Sequence, residues 1–92
     1  MAKFLMLGKY TLEGIKGISK ERTNKGVELI EKAGGKVEKM YVLLGEYDLV
    51  FLVDFPDNAS AIKTSVELTK LTGIGFTTCP AISVEEFDKL VG

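Results

Sequence analysis

Five apolar residues in a row, Leu49 to Val53, lie inside the stretch LGEYDLVFLVDFPD that runs from Leu44 to Asp57. A strand with one wet face alternates apolar with polar side chains, so an unbroken run reads as a strand covered on both sides. With Gly45-Glu46 taken as a two-residue type II′ loop, Leu44 faces Tyr47 and the register of a hairpin follows. One face then collects Met40, Val42, Leu44, Tyr47, Leu49, Phe51, Val53 and Phe55. The other collects Val37, Lys39, Tyr41, Leu43, Asp48, Val50, Leu52 and Asp54, because side chains alternate with period two. The first face is suited to helices. The second is still half apolar and needs a cover of its own.

Other elements fall into place around this hairpin. Lys3 to Tyr10 (KFLMLGKY) reads as a first strand, and TLEGIKGI after it as loop or frayed turn, because of Gly14 and Gly17. Ser19 caps a helix whose stripe is Val27, Leu29, Ile30 and Ala33 and which Gly34-Gly35 closes. Lys36 to Leu44 and Tyr47 to Phe55 are the hairpin strands. Asp57 caps a second helix, with Ala59, Ile62, Val66 and Thr69 on one face and Gly73 at its end. Gly75 to Ile82 forms a fourth strand that Pro80 confines to an edge or a strand end. SVEEFDKLV, capped by Ser83, is a short last helix. The order predicts an α+β, ferredoxin-like βαββαβ sandwich, with a four-stranded antiparallel sheet and a short C-terminal helix.

Size sharpens the problem of the second face. The 92 residues are expected to form one domain, 1–92, and a chain this short hides only about 60% of the surface it exposes unfolded. A single cysteine, Cys79, excludes an intrachain disulfide, and without histidine a structural metal site has few donors. Four strands about 4.8 Å apart, each about five residues long, present roughly 600 Å² of side-chain surface on the open face. That reaches the ~300 to 600 Å² of the largest apolar patch on a typical monomer. A second copy placed sheet to sheet is therefore the expected cover, with the terminal helix folded across the sheet as the intrachain alternative.

Charge narrows the partners. A formal net charge of −1, with lysines and acids interspersed, provides no basic field for nucleic acid or an anionic membrane. The apolar run near the N-terminus stops at Gly8, too short for a signal-peptide core or a membrane span, which points to the cytoplasm.

Four residues are candidates for a ligand pocket on the mixed face: Tyr41, Asp48, Asp54 and Lys9. A carboxylate beneath a partner subunit needs a cation, hydrogen bonds or a proton, and Lys39 or Lys9 can serve. Asp48 and Asp54 either touch a ligand or fix hairpin and interface geometry, and the residues favour the geometric role. Tyr41 sets an apolar ring and a hydroxyl on the same face. Lys9 ends the first strand, where loops commonly line sites. Cys79 lacks the histidine that usually activates a thiol, and the glycines of LTGIGF precede no helix that would bind phosphate. No catalytic set, metal site or cofactor motif emerges.

The strand end LGKYT with EGIKGI, the hairpin LGEYDLVFLVDFPD and the closing TGIGFTTCPAIS resemble the GYD-domain family, whose Gly-x-Tyr-Asp motif is matched by Gly45, Tyr47 and Asp48. The ligand-sensing domains of Lrp/AsnC regulators carry a similar hairpin. The resemblance covers essentially the whole chain and implies a dimeric α+β barrel in which two sheets face each other. It supplies no catalytic residues. Haem is disfavoured without an axial histidine, and the chain has no room for a helix-turn-helix beside the barrel. The expectation is thus a homo-oligomeric, non-enzymatic module that binds or senses a small organic molecule, homodimeric through its sheet face and open to higher assembly. The alternative is a cofactor-independent enzyme, monooxygenase- or isomerase-like, using Asp48 or Tyr41 for proton transfer.

Overall fold

The computed structural model describes residues 1–92. Its elements are β1 (Ala2–Lys9), α1 (Leu12–Lys16), α2 (Lys20–Lys32), β2 (Lys36–Val42), β3 (Leu49–Phe55), α3 (Asn58–Thr72), β4 (Gly75–Ala81) and α4 (Val84–Val91). The four strands form one antiparallel sheet in the order β2-β3-β1-β4. This is the ferredoxin-like α+β arrangement expected from the sequence, with one addition. The segment expected as loop after β1 contains the short helix α1, because Thr11 caps it by accepting the N–H of Gly14 at 2.9 Å.

Each longer helix starts where a polar side chain satisfies an unpaired N–H group. Ser19 accepts from Arg22 at 3.0 Å, Asp57 from Ser60 at 2.7 Å and Ser83 from Glu86 at 3.1 Å. Gly73 ends α3 at φ 74°, a left-handed position that glycine adopts without steric cost.

Phe4, Met6, Leu49, Phe51, Val53 and Phe55 from the sheet pack with Ile30, Ala61, Leu68 and Ile74 in one core. Phe4 and Phe55 meet edge to face, 5.8 Å between ring centres. On the reverse face Leu5, Leu7, Val50 and Leu52 stand in neighbouring registers, Leu5 opposite Leu52 and Leu7 opposite Val50. No helix covers them. The α4 helix does not fold back over this face; it makes no substantial contact with any other element, and every one of its residues is exposed. No helix is long and apolar enough to cross a membrane.

Three local expectations are corrected. The α3 face buried in the core is Ala61, Thr64 and Leu68, not Ala59, Ile62, Val66 and Thr69, and Ile62 and Val66 point outward. Small residues let α3 sit near β4, where the Ser65 and Thr78 hydroxyls are hydrogen-bonded at 2.6 Å. In the hairpin, the register predicted for residues 39–52 holds, but a bulge between Val37 and Lys39 shifts it by one, so Val37 joins the core side instead of the open face. The loop is also not a type II′ turn, which needs positive φ at Gly45; only Gly34 and Gly73 have positive φ. Leu43 N–H donates to Asp48 O at 2.7 Å, closing a loop of Leu44 to Tyr47.

Candidate functional site

Of the four residues singled out in the sequence, Asp48 and Lys9 meet at one end of the sheet and Asp54 stands apart from them. Asp48 is a junction: its N–H donates to Gly8 O at 2.8 Å, its carbonyl accepts from Leu43, and its carboxylate accepts the N–H of Tyr10 at 2.8 Å. Lys9 donates from Nζ to Glu46 O at 2.6 Å, bracing the same end of the sheet. Asp54 stands six residues further along the chain, about 20 Å away at ordinary strand rise. There it pairs with Lys3 at 3.2 Å, and Lys3 also meets the Glu38 carboxylate. Lys3, rather than Lys39 or Lys9, is thus the cation that answers Asp54. The side-chain hydrogen bond to Glu38, followed by Asp54, raises the Lys3 ammonium above its ordinary lysine pKa. Tyr41 lies on the exposed edge strand β2, opposite Val50.

A larger feature opens on the helix side. Between α2 and the hairpin end of the sheet is a cleft of about 370 Å³. Met40, Leu49, Phe51 and Phe76 form its floor, with the Phe51 and Phe76 ring centres 5.5 Å apart. Its walls come from Arg22, Gly26, Val27 and Ile30 of α2 and from Leu68 and Thr72 of α3, and Tyr41 and Tyr10 also line it. Of the four sequence candidates, only Tyr41 belongs to this cleft.

Space for the cleft has a local origin. The α2 residues Arg22, Gly26 and Ile30 recur at four-residue spacing and share a face. Ile30 is buried in the core, Gly26 places no side chain there, and Arg22 follows with a long one. At Gly26 a Cβ would stand 3.5 Å from Leu68 Cδ2, an ordinary contact, so crowding does not demand the glycine. Its absence of a side chain leaves room beside Leu68. The sequence signal for this site was an arginine on the same helix face as a core isoleucine, which an apolar-stripe reading passes over.

Arg22 is held rather than loose. Its Nη1 donates to Gly14 O at 2.6 Å and to Thr72 O at 3.3 Å, joining α1, α2 and the C-terminal end of α3. A side chain at Gly17 would approach Nη1 to 2.8 Å. Glycine there keeps the guanidinium seated.

Antiparallel strands in the order β2-β3-β1-β4, with α2 and α3 on one face and a cleft between them and the sheet, place the chain among ferredoxin-like α+β proteins. The GYD domain model matches residues 4–91, and the chain belongs to the GYD-domain family. Among solved structures it is similar to the leucine response regulatory protein (LrpA) of Mycobacterium tuberculosis, with 11% sequence identity and a TM-score of 0.59. That likeness covers 90% of this chain and 51% of the regulator, so this chain spans about half of the regulator's length, and at this identity the shared property is the fold. No curated protein matches the sequence.

Proposed function

We propose that the chain is a homo-oligomeric, non-enzymatic module of one domain that binds and senses a small organic molecule. The helix-side cleft carries this reading. It is mostly apolar, lies within the ~300 to 1,000 Å³ span of small-molecule sites, and has polar groups only at a few points of its wall. The fold shared with a protein titled a leucine response regulatory protein supports a sensing role over a purely structural one.

Assembly belongs to the same proposal. Leu5, Leu7, Val50 and Leu52 form an apolar face without a helix over it, and a second copy placed sheet to sheet covers it. The α4 helix supports this from another direction. Its eight residues are too few for a stable isolated helix in water, yet Val84, Phe87, Leu90 and Val91 remain exposed. Docked on a second copy, that stripe acquires the burial its own chain withholds. In such a pair Asp48, Asp54 and Lys9 border the covered face, while Tyr41 stands where that border meets the cleft.

Native mass spectrometry of the purified chain, before and after incubation with a metabolite extract, tests the reading. The expected result is a dimer or a multiple of it that retains a small molecule, with Val27→Trp keeping the assembly and losing the ligand. A monomer that takes up nothing overturns it.

A further inference from the structure

Arg22 is the one charged residue among those lining the cleft. None of the ion pairs in the chain involves it. Nη1 is committed to the carbonyls of Gly14 and Thr72, which leaves the Nε and Nη2 edge of the guanidinium without a protein acceptor. That edge offers two parallel N–H groups, the fork that a carboxylate fits.

The remaining polar groups of the wall point the same way. Thr23 donates its hydroxyl to Ser19 O and Thr72 donates to Leu68 O, so both are satisfied inside their own helices. The hydroxyls of Tyr10 and Tyr41 have no protein partner and can also donate to an anion. A cation held on the wall of an apolar cleft, with free donors and no carboxylate at ion-pair distance, is complementary to an apolar molecule with a single acidic end.

We propose that the cleft binds an amphiphilic monocarboxylate, its hydrocarbon body over Phe51, Phe76 and Met40 and its carboxylate on the free edge of Arg22. The volume sets the size at about a dozen non-hydrogen atoms. The carbonyls of Gly14 and Thr72 position the guanidinium before the ligand arrives, so little side-chain freedom is lost on binding. This assignment rests on the reading of the cleft as the ligand site and adds to it the charge of the ligand.

Octanoate and octan-1-ol, which share a chain length and differ in the acidic end, are the probes. Titrated by calorimetry into the full chain, octanoate is expected to bind about tenfold tighter than the alcohol or better, the worth of one charge-assisted hydrogen-bonded contact. Arg22→Met, which keeps an apolar stem, is expected to bring octanoate down to the level of the alcohol and leave the alcohol unchanged. Arg22→Lys is expected to restore part of the preference. Equal binding of the two probes by the natural chain overturns the charge assignment and leaves the cleft as a ligand site. Binding of neither overturns both. Because that comparison uses the unaltered protein, it decides the matter even if Arg22→Met fails to fold.

Discussion

The carboxylate of Asp48 accepts the main-chain N–H of Tyr10 at 2.8 Å, tying the start of β3 to the chain just beyond β1. With its N–H on Gly8 O and its carbonyl on Leu43, the residue joins three strands where the hairpin loop ends. Asp48→Ala leaves the Tyr10 N–H without its acceptor and is expected to cost about 1 to 2 kcal/mol in chemical denaturation. Asp48→Asn keeps an acceptor oxygen and should lose less than half of that.

On the open face, Leu52 lies opposite Leu5 on one side and Lys39 on the other. Leu52→Lys places a charge at the centre of the surface proposed to meet a second copy, where desolvating an unpaired ammonium costs several kcal/mol. Sedimentation equilibrium should show the dimer dissociating at least about a hundredfold more readily, a change of roughly 2.7 kcal/mol. Circular dichroism of the variant should keep its helix and strand signal, because Leu52 is outside the helix-side core.

The α4 stripe gives a separate test of assembly. Phe87→Glu with Leu90→Glu alters two exposed side chains of a helix that makes no substantial contact with any other element of its own chain. A purely intrachain role therefore predicts little change in stability and none in mass. Docking on a second copy predicts weaker association with unchanged unfolding at concentrations where the protein is already monomeric.

Much of the fold was legible because one short run fixed it: Leu49 to Val53 demanded cover on both sides, and the alternation around it gave the hairpin register from Lys39 to Leu52. The Glu38 bulge was not legible, since neither its own residue type nor its neighbours mark an extra residue in a strand. The buried side of α3 was misread because hydrophobicity favours Ile62 and Val66, whereas the close seat against β4 admits Ala61, Thr64 and Ser65. Size outweighed hydrophobicity there. Of the candidate site, Tyr41 was singled out, but for a pocket on the open face and not for this helix-side cleft, and Arg22 and Gly26 were not, because a cleft arises from where α2 meets the sheet rather than from a motif.

Acid and alkali should act on different groups at the same end of the sheet, since Lys3 pairs with Asp54, three residues before Asp57. Asp57 caps α3, and its hydrogen bonds to Ser60, the main-chain N–H foremost, hold its carboxyl below the usual aspartate range. Its folded pKa is depressed, so the contribution is complete above the ordinary value of about 3.9 and is lost as pH falls through the folded value. Asp57→Asn, which still caps, should flatten the acid side of a plot of Tm against pH. Lys3 has the opposite sign: its contribution is complete below the ordinary lysine value of about 10.4 and is lost as pH rises through its raised folded value. Lys3→Met should flatten the alkaline side.

Gly26 sets stability against binding. It sits within α2, where glycine is less favourable than alanine by about 1 kcal/mol because it has more backbone freedom to lose. An alanine Cβ would meet only Leu68 Cδ2, at 3.5 Å, so Gly26→Ala is expected to raise stability by about 0.5 to 1 kcal/mol without strain. The same methyl projects into the wall of the cleft, on the face of α2 that also carries Arg22. It should therefore weaken octanoate and octan-1-ol together, by several-fold, because it removes apolar room rather than charge. A higher Tm with reduced affinity for both probes identifies the glycine as space kept for a ligand; a higher Tm with affinity unchanged assigns the ligand to another surface.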